Sequence, residues 1–332
     1  MHPRRLSVPS RRLHRLLWLV LALSPLALTA KPREVWETYK IAVIAGNGEA
    51  PAAKAIEAGA ESAAPALEDE YNLAITVDNL SPLNNTAQSR REAIHRVFLD
   101  GYSAVLLNID SSSEVAEEID FLNNHGIPVV TVGSDITSRR LAAILTDEEA
   151  SGRLAAETFV KNLRFARDKI AVLAGRADDP VTQLRLAGAE AALEMVPDME
   201  IDGPYYTAET FSGTFPKLTE VIEADHGRNL RGWLILGNWP LLGGRPLPWK
   251  PGEKVCVAMD GDPHVIPFVA SGQVQAVLAE DNFAMGKLGL TLLIDKVHNK
   301  KDPEQAVYTV PPLVLTRENL AEFQRNWTQW LQ

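Results

Sequence analysis

Two carboxylates stand where a ligand or a reaction would need them. In the stretch VCVAMDGDPHVIPFVASGQVQAVLAEDNFAMG, beginning at Val255, Asp260 follows one apolar run and Glu280 follows a second, Gln275 to Ala279. Each run reads as a buried strand. In open α/β sheets, ligands bind outside the carboxyl ends of strands. A carboxylate pair there has two uses: acid–base work or acceptance of charge-assisted hydrogen bonds from a polar ligand. The bland alternatives stay open: Asp260 caps the helical turn that follows, and Glu280 makes hydrogen bonds at a chain crossing. Gly261 lets backbone approach closely beside Asp260. The sequence shows no GxSxG, HExxH or phosphate-binding loop, and no GxGxxG after a strand, so the signatures of common hydrolases and nucleotide enzymes are missing. The reading is therefore not an enzyme, with no catalytic residue, cofactor or metal. The single cysteine, Cys256, lies inside an apolar strand and reads as an inert buried thiol.

The elements that must hold these residues alternate along the chain. Strands are predicted at Tyr39–Ala45, Leu73–Val77, Ala104–Asn108, Pro128–Val132 and Ala142–Leu145. A second series follows at Ile170–Ala174, Glu200–Tyr206 and Gly232–Leu236 before the two strands above. Helical spacing fills the gaps, as at Pro51–Glu68, Glu148–Leu163, Pro180–Met195 and Phe215–Ala224. Ser111–Ser113 should open one more helix, which stops before Gly126. Such alternation implies a doubly wound parallel sheet, and its repetition implies two similar lobes. Trp239–Gly252 is rich in Pro and Gly and replaces most of a helix with loop. Short strands at Ala306–Tyr308 and Leu313–Leu315, then a helix at Arg317–Leu331, end the chain. The length of 332 residues suits two domains.

The amino terminus differs in kind. Five arginines between Arg4 and Arg15 precede the apolar run Leu16–Ala30, which ends in small residues. This reads as an export signal cleaved near Ala30, too short for a comfortable membrane span. An uncleaved anchor is the alternative. The whole chain carries a net charge of −10, and loss of those five arginines, with no acid beside them, takes it to −15. So acidic a protein repels nucleic acid and anionic membrane surfaces.

These residues resemble a known family. Strand–φ-D-G, a helix broken by Gly272, a strand, a polar residue and a helix with Met-Gly (Met285, Gly286) are similar to the carboxyl-terminal signature of periplasmic sugar-binding proteins of the ribose-binding class. IPVVTV (Ile127–Val132), LTDEEASG (Leu145–Gly152) and AGAEAALE (Ala187–Glu194) extend the resemblance from about Lys40 to Thr316. It implies the type I periplasmic-binding-protein fold: two doubly wound α/β lobes joined by three crossings, near Thr146–Asp147, Glu280–Asp281 and Pro311–Leu315. It implies residues 31–146 with 281–312 as one lobe and 147–280 with 313–332 as the other. It implies a periplasmic monomer that binds a sugar or related polyol between its lobes and delivers it to an ABC permease. The second reading is a sensory module signalling to a membrane receptor or kinase. A transcriptional repressor, the remaining relative, would carry a DNA-binding helix-turn-helix before Tyr39, where this chain has the export signal instead.

The resemblance also places site residues, and here the match thins. After the first strand the family's aromatics are Ala52 and Ala53, leaving Asn47 and Glu49 as polar candidates. After the fourth strand Gly133 and Ser134 stand where the family has Asp-Arg, with Asp135 one position on. Gln183 matches the second-lobe arginine, and Arg185 lies two residues later; it reads equally as a solvated helix residue. Asn238 falls one residue from the family's Asn-Asp position. Asp260 is retained, and Glu280 replaces an amide. Stacking on a sugar ring would fall to Trp239, Phe211, Tyr205 or Tyr206, each of which reads alternatively as a packed aromatic.

Overall fold

A computed structural model of the chain describes residues 37–84, 86–109, 114–163, 169–225 and 229–331. The proposed export signal and Ser111–Ser113 lie outside the described residues. The first half runs β1 (Thr38–Ile44), α1 (Pro51–Tyr71), β2 (Ala74–Asn79), α2 (Ala87–Leu99), β3 (Ala104–Ile109), α3 (Ala116–Asn124), β4 (Val129–Gly133) and β5 (Ala142–Leu145). The second runs α4 (Glu148–Asn162), β6 (Lys169–Ala174), α5 (Pro180–Leu193), β7 (Glu200–Tyr206), α6 (Phe211–Ala224), β8 (Leu230–Ile235), β9 (Val255–Met259), α7 (Ile266–Ser271) and β10 (Ala276–Ala279). Then come α8 (Asn282–Val297), β11 (Val307–Thr309), β12 (Leu313–Thr316) and α9 (Leu320–Trp330).

The strands form two six-stranded sheets of the same design. One has the order β2-β1-β3-β4-β5-β11, the other β7-β6-β8-β9-β10-β12. All pairings are parallel except β10 with β12. The central strands are apolar on both faces because helices cover both. In the first sheet, Ile41 and Val43 face one core with α1 and α8, while Ala42 and Ile44 face a second with α2 and α3. The second sheet divides its core in the same way. The chain changes sheet three times: from β5 into α4 and β6, from β10 into α8 and β11, and from β11 into β12.

Capping and glycine fix the helices that border the strand ends. Asp147 accepts from Ala150 N at 2.9 Å to start α4, and Asp281 accepts from Ala284 N at 2.9 Å to start α8. Both helices then read D-x-x-A-x-G-[RK]-L, at Asp147–Leu154 and Asp281–Leu288. Their partners α5 and α1 both open on proline and carry Gly-Ala eight residues later, at Gly188 and Gly59. The glycines are where the helices touch. A Cβ on Gly188 would fall 1.9 Å from Glu149 O, and one on Gly152 would fall 2.0 Å from Arg185 O. On the other side, Cβ atoms on Gly59 and Gly286 would fall 2.0 Å from Phe283 O and Ile56 O. Each lobe thus holds one glycine-to-glycine helix crossing, and the two crossings share a sequence pattern.

Two helix starts differ from expectation. Helix α6 begins at Phe211 rather than Phe215, because Thr210 Oγ1 accepts from Gly213 N at 3.1 Å and nucleates an earlier turn; Pro216 is tolerated within that helix. The last helix begins at Leu320 rather than Arg317, because Asn319 Oδ1 accepts from Thr316 N at 2.8 Å and holds a turn there. Helix α9 touches both halves: it packs on α7, and Trp330 stacks on Phe283 of α8 with ring centroids 5.0 Å apart.

Candidate ligand-binding site

The carboxyl ends of the two sheets face a common cavity of about 280 Å³. The first sheet supplies a neutral wall of Ile109, Gly133 and Ser134. The second supplies charge. A larger groove, about 710 Å³, runs between α1, the start of α8 and α9. It meets the sheets only at one edge, through Asp281 just past β10 and Leu313 at the start of β12, and not where the carboxyl ends of the central parallel strands face one another, so the smaller cavity is the better candidate.

Arg185 is the anchor of the charged wall. Helix α5 carries it to the crossing with α4, where it is buried. Its Nε donates to Glu148 Oε2 at 2.6 Å, and its Nη1 lies 2.8 Å from Asp260 Oδ1 and donates to Leu236 O at 3.0 Å. Burial works against its charge, but the carboxylates of Asp260 and Glu148 overcome this and raise its pKa. It is not a solvated helix residue.

Asp260 ends β9 with φ +62°, in the left-handed region that an aspartate tolerates better than most residues. That turn points its carboxylate back at Arg185. A Cβ on the next residue, Gly261, would meet Ala279 Cβ at 2.4 Å, so only glycine lets the chain pass there. The helix-cap alternative fails for Asp260. The following turn is capped by Asp262, which accepts from His264 N at 2.8 Å.

Glu280 lies on the second crossing and is partly buried. Desolvation pushes its pKa up to about 7, helped by the negative charge of Asp260; Arg185 opposes the rise. Trp239 packs over Gly237 and Gly175, where any Cβ would strike its indole at 2.5 Å and 2.9 Å. Glu209 shares that corner: Arg176 N and Thr182 Oγ1 donate to it at 3.2 Å and 3.4 Å.

Of the sequence candidates, Asp260, Glu280, Arg185, Trp239 and Ser134 line the cavity. The others point elsewhere. Gln183 donates to Ala177 O at 2.7 Å on an exposed turn. Asn238 is buried and donates to Asp262 at 3.2 Å. Asn47 Oδ1 accepts from Glu49 N at 3.0 Å, shaping its own turn, and Glu49 pairs loosely with Lys54. Asp135 pairs with Arg140, whose hydrogen bonds hold its pKa low. Phe211 stacks on Phe215. Tyr205 donates to Asp202, and Tyr206 is exposed. Six lining residues escaped the sequence reading: the apolar Ile109 and Val181, and the polar Glu148, Asp179, Thr182 and Glu209. A signal existed for each acid. Asp179 precedes the proline that starts α5, Glu209 follows the end of β7, and Glu148 lies in the TDEEASG hinge entry.

Among the described residues no three or more His, Cys, Asp or Glu are grouped to hold a metal ion, and no helix is long and apolar enough to cross a membrane.

Two similar sheets, three crossings and a cavity at facing strand ends define a bilobed ligand-binding architecture. The periplasmic binding protein domain family matches residues 41–301, and the chain belongs to that family, as a type I periplasmic binding protein. Its members are solute-binding proteins and not enzymes. Similar solved structures include a sugar-binding protein of a sugar ABC transporter from Bacillus halodurans, 20% identical with a TM-score of 0.72, covering 86% of this chain and 99% of its own. A periplasmic ribose ABC transporter structure from Conexibacter woesei is 15% identical with a TM-score of 0.73, covering 91% and 100%. The arabinose-binding protein AraP of Geobacillus stearothermophilus is 17% identical with a TM-score of 0.71, covering 86% and 99%. No curated protein matches the chain.

Proposed function

We propose that this protein is an exported solute-binding protein that captures a small polar ligand, a sugar or related polyol, in the interlobe cavity and delivers it to an ABC-type membrane transporter. The observation that carries the reading is the cavity itself. It joins the strand ends of both sheets and sets the Trp239 indole beside carboxylates that accept hydroxyl hydrogen bonds. That combination satisfies the CH faces and the hydroxyls of a sugar together. At about 280 Å³ the cavity lies just below the usual range for ligand sites, which suits a single ring. The similar structures that bind ribose or arabinose support the same class. The lobes are residues 31–146 with 281–312 and 147–280 with 313–332, and the protein acts as a monomer after cleavage near Ala30.

Thermal-shift screening of the purified protein against monosaccharides and polyols tests this. A ligand at a hundredfold excess over Kd stabilises the folded state by about 2.7 kcal/mol, a clear rise in melting temperature. No shift across the panel rejects the reading. Export is tested separately: mass spectrometry of protein from the cell envelope should find a chain beginning close to Lys31, and a cytoplasmic chain retaining Met1 rejects it.

A further inference from the structure

The charge balance of the cavity narrows the ligand. Five carboxylates line it: Glu148, Asp179, Glu209, Asp260 and Glu280. Among the described residues Arg185 is the only cation that lines it, and it is already shared by Glu148 and Asp260. Arg176, whose backbone N–H donates to Glu209, turns its guanidinium away: it is 57% exposed and pairs with Asp178 at 3.0 Å. The opposite wall, Ile109, Gly133 and Ser134, brings no positive charge. The repeated helix pattern shows that this asymmetry belongs to one lobe. The positions matching Glu148, Arg185 and Glu280 in the other half are Asn282, Ile56 and Thr146, all neutral.

Hydrogen-bond supply is equally lopsided. Glu148, Asp179, Glu209 and Asp260 accept, Glu280 with its raised pKa is the one carboxyl that also donates when protonated, and Thr182 Oγ1 already donates to Glu209. A neutral sugar closing this cavity would leave several carboxylates dehydrated without a counter-charge, which is costly. An ammonium supplies three donors and the missing charge. Glu209 and Trp239 line the cavity together with Asp179, which stands at the start of α5. Carboxylates hold such a cation through charge-assisted hydrogen bonds.

We propose that the ligand is an amine-bearing polyol, a ring of the amino-sugar class. Its ammonium sits among Asp179, Glu209 and Trp239, and its hydroxyls face Asp260 and Glu280. This rests on the solute-binding reading above and sharpens it.

Calorimetry on the purified protein at about pH 6.5, where such an amine is protonated, tests the proposal with matched pairs. The probes are D-glucose, D-glucosamine and N-acetyl-D-glucosamine, the galactose series, and putrescine as an acyclic amine. The free amine should bind at least about tenfold tighter than its neutral or N-acetylated counterpart. That advantage should shrink with added salt. Asp179→Asn keeps the helix cap, since asparagine caps as well as aspartate, and should narrow the advantage by about tenfold. Equal or tighter binding of the neutral sugars overturns the amine proposal and leaves solute binding standing. Binding of putrescine alone overturns the polyol in both readings. Binding of no probe overturns the amine proposal, and solute binding itself is then decided by the wider thermal-shift panel above.

Discussion

Asp260 holds Arg185 besides meeting ligand in the proposed function, and substitution should report on that anchor. As a free strand-end carboxylate it would meet only ligand. In the structure it also holds Arg185, together with Glu148. Asp260→Asn keeps the shape and one acceptor but removes the charge that balances the guanidinium. Breaking a fully buried pair costs about 3–5 kcal/mol; Asp260 is 32% exposed and Glu148 remains, so about 1–3 kcal/mol is expected. Urea denaturation should show this loss without ligand, and unchanged stability would remove Asp260 from the anchor. Glu280 gives a pH signature of the opposite kind. Its pKa rises from the ordinary 4.5 to about 7, so between those values the folded state holds more protons than the unfolded state. Stability from this group therefore falls as pH rises through the window. The penalty is absent below about pH 4.5 and fully present above about pH 7, where it reaches about 3 kcal/mol. Glu280→Gln should melt above wild type at pH 8 and level with it near pH 4.5. Equal melting at both values would show that the carboxyl is well solvated. The sequence showed that carboxylates end these strands, because apolar runs mark strand ends. It did not show that Arg185 faces them, because that contact depends on how two helices cross.

The crossing of α4 with α5 is the element that decides this. In an exposed helix, replacing glycine by alanine stabilises by about 1 kcal/mol. At Gly188 the sign should reverse. The new Cβ would sit 1.9 Å from Glu149 O, and backbone cannot yield as a flexible side chain can. Overpacking of this kind costs about 1–3 kcal/mol or more. It also moves α5 away from α4, parting Arg185 from Glu148, so ligand affinity should fall with stability. Denaturation and calorimetry on Gly188→Ala check both, and a stabilised variant would show that the helices do not meet as described. Element types and order were legible from apolar runs, proline at helix starts and glycine at breaks. The repeated D-x-x-A-x-G pattern was legible too, but its meaning needed the packing: each glycine matters through a partner about 35 residues away or over 200 away. The misplaced starts of α6 and α9 turned on single side-chain hydrogen bonds at Thr210 and Asn319, which periodicity does not register. Asn47, Glu49 and Gln183 were carried by alignment to a family motif, and local turns claim all three.

At the scale of the molecule, the three passages between the sheets govern what the cavity can do. Two of them, Thr146–Asp147 and Glu280–Asp281, are short and end on aspartates that cap the helices beyond. The third, between β11 and β12, contains Pro311 and Pro312, which restrict the backbone. Few residues are thus free to change torsion, which favours rotation of two stiff bodies over general loosening. Each sheet has its own two-sided core, so neither needs the other to stay folded. Glu280 lies on a passage and also lines the cavity, so a ligand that neutralises it acts directly on a hinge strand. The ligand can favour a closed arrangement only through contacts it makes better there than in the open one. On the proposed function, those contacts would be the neutral wall of Ser134 and Ile109 meeting a ligand already held by the charged wall. Small-angle scattering on the purified protein should therefore show a smaller radius of gyration at saturating ligand. Ser134→Trp, which fills the neutral wall, should bind ligand weakly and fail to compact. Identical scattering with and without a ligand proven by calorimetry would mean that the two sheets form one rigid body, with the solute entering a preformed cavity.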